Sequence, residues 1–70
     1  MSSKRSITIA GHRTSVSVED PFWEALNEIA ETRATSVASL VASIDETRGE
    51  QSLSAAIRAF VLNEARARPA

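Results

Sequence analysis

Residues 13–21 read Arg13-Thr14-Ser15-Val16-Ser17-Val18-Glu19-Asp20-Pro21, and a change of period within them decides the fold. Up to Glu19, valines alternate with hydroxyl residues, the period-two pattern of a strand with one buried face. At Asp20-Pro21 the alternation stops. Aspartate is a favoured helix N-cap, and proline suits the first helical position, where its missing N–H leaves no bond unmade. The stretch therefore predicts a strand that runs directly into a helix.

Toward the N-terminus the alternation recurs, with Ile7 and Ile9 set between Ser6 and Thr8, so that Ser6 to Glu19 reads as strand. A two-residue turn at Gly11-His12 would pair Ile9 with Thr14, Ile7 with Val16 and Arg5 with Val18. It would bring all four aliphatic side chains to one face. An intrachain hairpin and a longer extended arm both fit. Toward the C-terminus, Phe22, Leu26, Ile29 and Ala30 recur at helical spacing, and Glu24, Glu28 and Glu31 fall mostly opposite. This first helix should end near Arg33-Ala34. Phe22 and Trp23 point about 100° apart on it. One is expected beneath the strands and the other against a partner subunit, with a core tryptophan as the alternative.

A second helix follows at once, capped by Thr35 or Ser36, with Val37, Leu40, Val41 and Ile44 as its apolar stripe. Arg48 closes its last turn and Gly49 is a natural C′ residue. A third starts near Ser52, carries Leu53, Ala56, Ile57, Phe60 and Val61, and stops before Pro69. No internal repeat or low-complexity linker is read, and Gly49-Glu50-Gln51 is the one hinge. The fold class is α+β, mostly α: a strand or hairpin followed by three helices, one domain over 1–70 with flexible ends at 1–5 and 66–70.

A chain of 70 residues is small. A core of that size seldom supplies more than about 3–5 kcal/mol. Without cysteine there is no disulfide, and with one histidine a zinc site is not expected. Oligomerisation is the remaining source of stability. The lack of cysteine suits a reducing cytoplasm. No signal peptide is expected after Met1, since no apolar run follows Lys4-Arg5, and no segment is apolar for long enough to span a membrane.

Net charge is −1 but unevenly spread. Lys4, Arg5 and Arg13 stand without an acid in residues 1–18, whereas residues 19–50 hold eight acids against Arg33 and Arg48. A basic head on an acidic body can orient toward phosphate. An enzyme finds no footing. His12, the only histidine, lies in a turn; Glu19-Asp20 and Asp45-Glu46 read as caps and solvated faces; two glycines make no phosphate loop. Neither a cofactor nor a metal is implied.

The order of elements resembles the ribbon-helix-helix family. The resemblance runs through Arg13-Thr14-Ser15-Val16-Ser17-Val18, through Phe22, Leu26, Ile29 and Ala30, and through Thr35-Ser36-Val37-Ala38-Ser39-Leu40-Val41, and covers roughly residues 4–65. It is closest to small stand-alone bacterial proteins with a basic start and a third helical stretch such as Leu53 to Leu62. That stretch also looks like a family second helix. The resemblance implies an intertwined homodimer, dimeric through its strands and last two helices, in which each subunit gives one strand to a ribbon that enters the major groove of double-stranded DNA. Carried onto this chain, Arg13, Ser15 and Ser17 would face the bases, Thr35 and Ser36 would anchor a phosphate at a helix N-terminus, and Lys4 and Arg5 would add phosphate contacts. The extra first strand could be a phosphate-seeking arm, or itself the ribbon with Lys4, Ser6 and Thr8 outward. Val37, Leu40, Val41, Ile44, Ile57, Phe60 and Val61 would form the dimer core. The function implied is transcription regulation in the cytoplasm. The alternative is a protein-interaction or adaptor module of the same fold, with a protein as its partner and no sequence-specific DNA binding.

Overall fold

Ala10 and Gly11 both adopt positive φ, 51° and 81°. That is the backbone of a type I′ turn, whose twist matches the strands it joins. In the computed structural model, which describes residues 2–67, this turn closes a hairpin of β1 (Ser2–Ile9) and β2 (His12–Glu19). Ile9 lies opposite His12, Ile7 opposite Thr14 and Arg5 opposite Val16. The expected register was therefore two residues out, because Gly11 takes the second turn position rather than the first. A shift of two leaves every side chain on its own face, so Ile7, Ile9, Val16 and Val18 still point together into the core.

Of the arrangements that the sequence left open, β1 and β2 form the intrachain hairpin. A two-residue connection closes a strand pair at a far smaller entropy cost than the association of two molecules. Residues 2–5 belong to β1 and pair with β2, and Arg66 and Ala67 belong to the last helix. Met1, Arg68, Pro69 and Ala70 lie outside the described residues.

Three helices follow: α1 (Asp20–Thr32), α2 (Val37–Thr47) and α3 (Leu53–Ala67). Glu19, not Asp20, occupies the N-cap of α1 and makes no side-chain cap bond. Asp20 instead turns back to the Arg5 guanidinium at 2.9 Å. The helix ends in a Schellman motif, with Thr35 N–H bonded to the Ala30 carbonyl at 2.9 Å and Ala34 N–H to that of Glu31 at 3.0 Å. Of the two expected caps for α2, Ser36 serves: its hydroxyl accepts from Ser39 N–H at 3.0 Å. Gly49 follows α2 with a φ of 63°, as a C′ residue should. The Ser52 hydroxyl caps α3 by accepting from Ala55 N–H at 3.2 Å.

All three helices pack against the Ile7 and Val16 side of the hairpin. Val16, Val18, Leu26, Val41 and Ile57 are closed off from solvent. Leu40, Ile44 and Val61 are also buried within the single chain, and Val37 and Phe60 pack against the same cluster. The apolar stripe expected to form a dimer core is thus an intrachain core. The third helix lets this happen, since α3 supplies the apolar layer that a second subunit would otherwise bring. Trp23 and Phe22 are both half-buried. Trp23 lies beneath the Arg5 guanidinium, 4.9 Å from the ring centre. Phe22 lines an apolar recess between α1 and α3.

Candidate nucleic-acid interface

The hairpin has a second face, turned away from the helices. Register sets Lys4 opposite Ser17, Ser6 opposite Ser15 and Thr8 opposite Arg13. Strand alternation sends these side chains to the face opposite the core, and all of them are exposed. Four of the residues expected at the interface, Lys4, Arg13, Ser15 and Ser17, are therefore brought together. Ser6 and Thr8 stand among them on equal terms.

Arg5 is elsewhere. It projects to the inner face, stacks on Trp23 and bonds to Asp20. Thr35 and Ser36 are exposed at the start of α2. The other end of that helix is the one that meets the hairpin tip: Asp45 and Arg48 line a recess of about 350 Å³ with His12, Arg13 and Thr14. At the cap itself, Ser39 N–H is already held by the Ser36 hydroxyl. The two expected anchors thus sit at the far end of α2 from the tip.

Ion pairing sorts the cations. Arg5 pairs with Asp20, Arg33 with Glu64, Arg48 with Asp45 and Arg58 with Glu19. Among the described residues, Lys4, Arg13 and Arg66 carry no such bridge. Two of these three lie on the outward ribbon face, whose one acid, Glu19 at the end of β2, is paired with Arg58. Exposed pairs of this kind add little stability, roughly 0–1 kcal/mol each. Their consequence here is directional: Arg33, Arg48 and Arg58 of the body are neutralised, and Lys4 and Arg13 of the outward ribbon face keep their charge.

The ribbon also has the right width. Two strands lie about 4.8 Å apart, and the major groove, about 12 Å wide, admits a two-stranded ribbon. A neighbouring strand is blocked on one side. In a hairpin closed by a two-residue turn, alternate residues point N–H and C=O away from the partner strand, and Ser17 is one of them. Its N–H donates to the Ser54 hydroxyl at 3.0 Å, and its carbonyl accepts from Arg58 at 3.1 Å. Helix α3 therefore closes the outer edge of β2 at Ser17 and holds the ribbon at two strands on that side.

One signal in the sequence sets Ser6 and Thr8 beside Ser15 and Ser17 rather than in their place. Lys4-Arg5-Ser6-Ile7-Thr8-Ile9 and Arg13-Thr14-Ser15-Val16-Ser17-Val18 run in the same order: a cation, any residue, serine, aliphatic, hydroxyl, aliphatic. The chain does contain an internal repeat, and it is the ribbon.

Among the described residues no helix is long and apolar enough to cross a membrane, and no group of three or more acidic, histidine or cysteine side chains could hold a metal ion. Compared with known families, residues 2–65 match the ribbon-helix-helix domain. No curated protein and no solved structure matches the chain.

Proposed function

The chain belongs to the ribbon-helix-helix domain family, and from that premise we propose that it is a homodimeric DNA-binding transcriptional regulator that lays the polar face of its hairpin in the major groove. The observation that carries this reading is the outward face itself: two strands wide, rich in hydroxyls, holding two cations that the body leaves unpaired, and with its one acid, Glu19, bonded to Arg58. Arg13 has the planar fork that matches guanine O6 and N7. Ser15 and Ser17, with Ser6 and Thr8 across from them, donate to or accept from base edges. Lys4 contacts a phosphate as a point charge. Thr35 and Ser36 add a phosphate contact at the N-terminus of α2. Arg5 is committed to Asp20 and Trp23 and takes no part.

The second copy adds a second ribbon. Its support is an apolar recess between α1 and α3, lined by Pro21, Phe22, Val61, Leu62 and Ala65, where Leu62 is 53% exposed. Glu28 on α1 and Arg66 on α3 have no salt bridge among the described residues. Two copies meeting α1 to α3 would bring these opposite charges together and leave both hairpins free.

Fluorescence anisotropy with a panel of labelled duplexes tests the reading. Arg13→Ala should cost about 1–3 kcal/mol and relax preference at one base position. Lys4→Ala should weaken all duplexes alike and flatten the salt dependence. If no duplex binds below about 10 µM at low salt, where non-specific binders already register, the regulator reading is wrong. The interaction-module reading then replaces it, with the Leu62 recess as its surface.

A further inference from the structure

We propose that the hairpin has a local two-fold axis of its own, so that one chain reads a short, nearly palindromic duplex segment. This rests on the DNA-binding reading above. The axis is set by register. It passes between Ser6 and Ser15, which face each other across the ribbon. Rotation about it carries one antiparallel strand onto the other, with chain direction preserved. Two residues before Ser6 is Lys4; two before Ser15 is Arg13. Two residues after Ser6 is Thr8; two after Ser15 is Ser17. The outward face thus presents cation, hydroxyl, hydroxyl twice, related by the axis. On the inner face Ile7 and Ile9 map onto Val16 and Val18.

A ribbon built from one strand of each of two identical subunits has such an axis by necessity, and the site it reads mirrors that symmetry. Here a repeated hexapeptide and a two-residue turn reproduce the arrangement in one molecule. Aligned on a dyad of the duplex, Arg13 and Lys4 would lie over symmetry-related base pairs. They are four residues apart along the ribbon, about 13 Å at ~3.3 Å per residue, or roughly four base-pair steps at ~3.4 Å.

The two halves differ in one chemical respect that matters. The guanidinium of Arg13 is a rigid fork, and the Lys4 ammonium is a compact, strongly hydrated charge that fixes no plane. The segment read should therefore be a palindrome with one strict arm, carrying guanine under Arg13, and one lax arm under Lys4.

The test is selection of duplexes from a randomised pool with the full chain, repeated with Lys4→Arg and Arg13→Lys, and native mass spectrometry of the complexes formed. Circular dichroism confirms that each variant folds. Lys4→Arg keeps the charge and should leave the salt dependence unchanged. It should add a guanine preference of at least about fivefold, the lower end for a bidentate pair, at the dyad-related position on the opposite strand. Arg13→Lys should relax the original guanine. One chain should account for each selected segment. The inference is overturned by a motif indifferent to Lys4→Arg, by a new guanine away from the dyad position, or by a requirement for two chains per ribbon-length segment. Selection of a single motif with any of these results spares the DNA-binding reading. Failure of the wild-type chain to retain any duplex overturns both.

Discussion

Two alanines occupy backbone positions better suited to glycine. Ala34 has a φ of 55° and Ala10 a φ of 51°, in the left-handed region that costs an L-residue roughly 1–2 kcal/mol. Ala34 is the C′ residue of α1, the place where glycine is most enriched. Ala34→Gly should therefore raise stability by up to about 1 kcal/mol, read as a higher urea midpoint at unchanged slope. A lower midpoint would show that the Schellman bonds from Ala34 and Thr35 depend on contacts of the alanine methyl. At this scale much was legible. The period of Val16 and Val18, the hydroxyl of Ser36 and the turn-making Gly49 each act as their chemistry dictates. The destination of Arg5 was not legible, because its stacking on Trp23 and bond to Asp20 are tertiary contacts that strand alternation does not register. The same pull explains why Asp20 leaves the N-cap to Glu19.

At the scale of elements, α3 behaves as an integral layer. Ile57 is fully enclosed, so Ile57→Ala should cost about 2–5 kcal/mol by the combined loss of burial and opening of a cavity. Chemical denaturation measures it, and a change below about 1 kcal/mol would place α3 outside the cooperative unit. The five elements and their order follow from periodicity and caps in the sequence. Their pairing does not. Ile7 and Ile9 alternate equally well in a hairpin, in an arm or in an intersubunit ribbon, because period two records a buried face and not the strand that covers it. What decides is the φ of Ala10, a non-glycine residue whose turn position no propensity singles out. The role of α3 was obscured for a related reason. Its stripe from Leu53 to Val61 is apolar in the same way whether it meets a partner subunit or the hairpin of its own chain. The outward face of β2 was legible from alternation alone, whereas β1 was recognised as its equal only once register aligned the repeat.

On the scale of the whole molecule, charge separation governs how the protein should meet a polyanion. Lys4 and Arg13 are the cations each chain offers on its ribbon, since Arg5 is held by Asp20. At roughly −0.9 per phosphate contact, the log–log salt slope from the ribbons should be about −1 for one bound chain and about −2 for two with Lys4 on phosphate and Arg13 on a base, and about −2 and −4 with both on phosphate. The bare sequence allows three cations per chain, and so about −5 for two. A measured slope of −5 or steeper in a two-chain complex would mean that Arg5 leaves Asp20 on binding. Self-association is a separate matter, checked by sedimentation equilibrium: Leu62→Glu should shift a dimer toward monomer without unfolding it, because Leu62 lies outside the buried core. The two-residue turn between β1 and β2 has one more effect, on dilution. A reading element shared between subunits disappears when the subunits part, so its occupancy falls as concentration falls toward the dimer constant. Here the strands are tied end to end and the core closes around them in the same molecule. Refolding should be first order, with a half-time unchanged over a hundredfold range of protein, and a cell holding only a few copies would still hold complete ribbons.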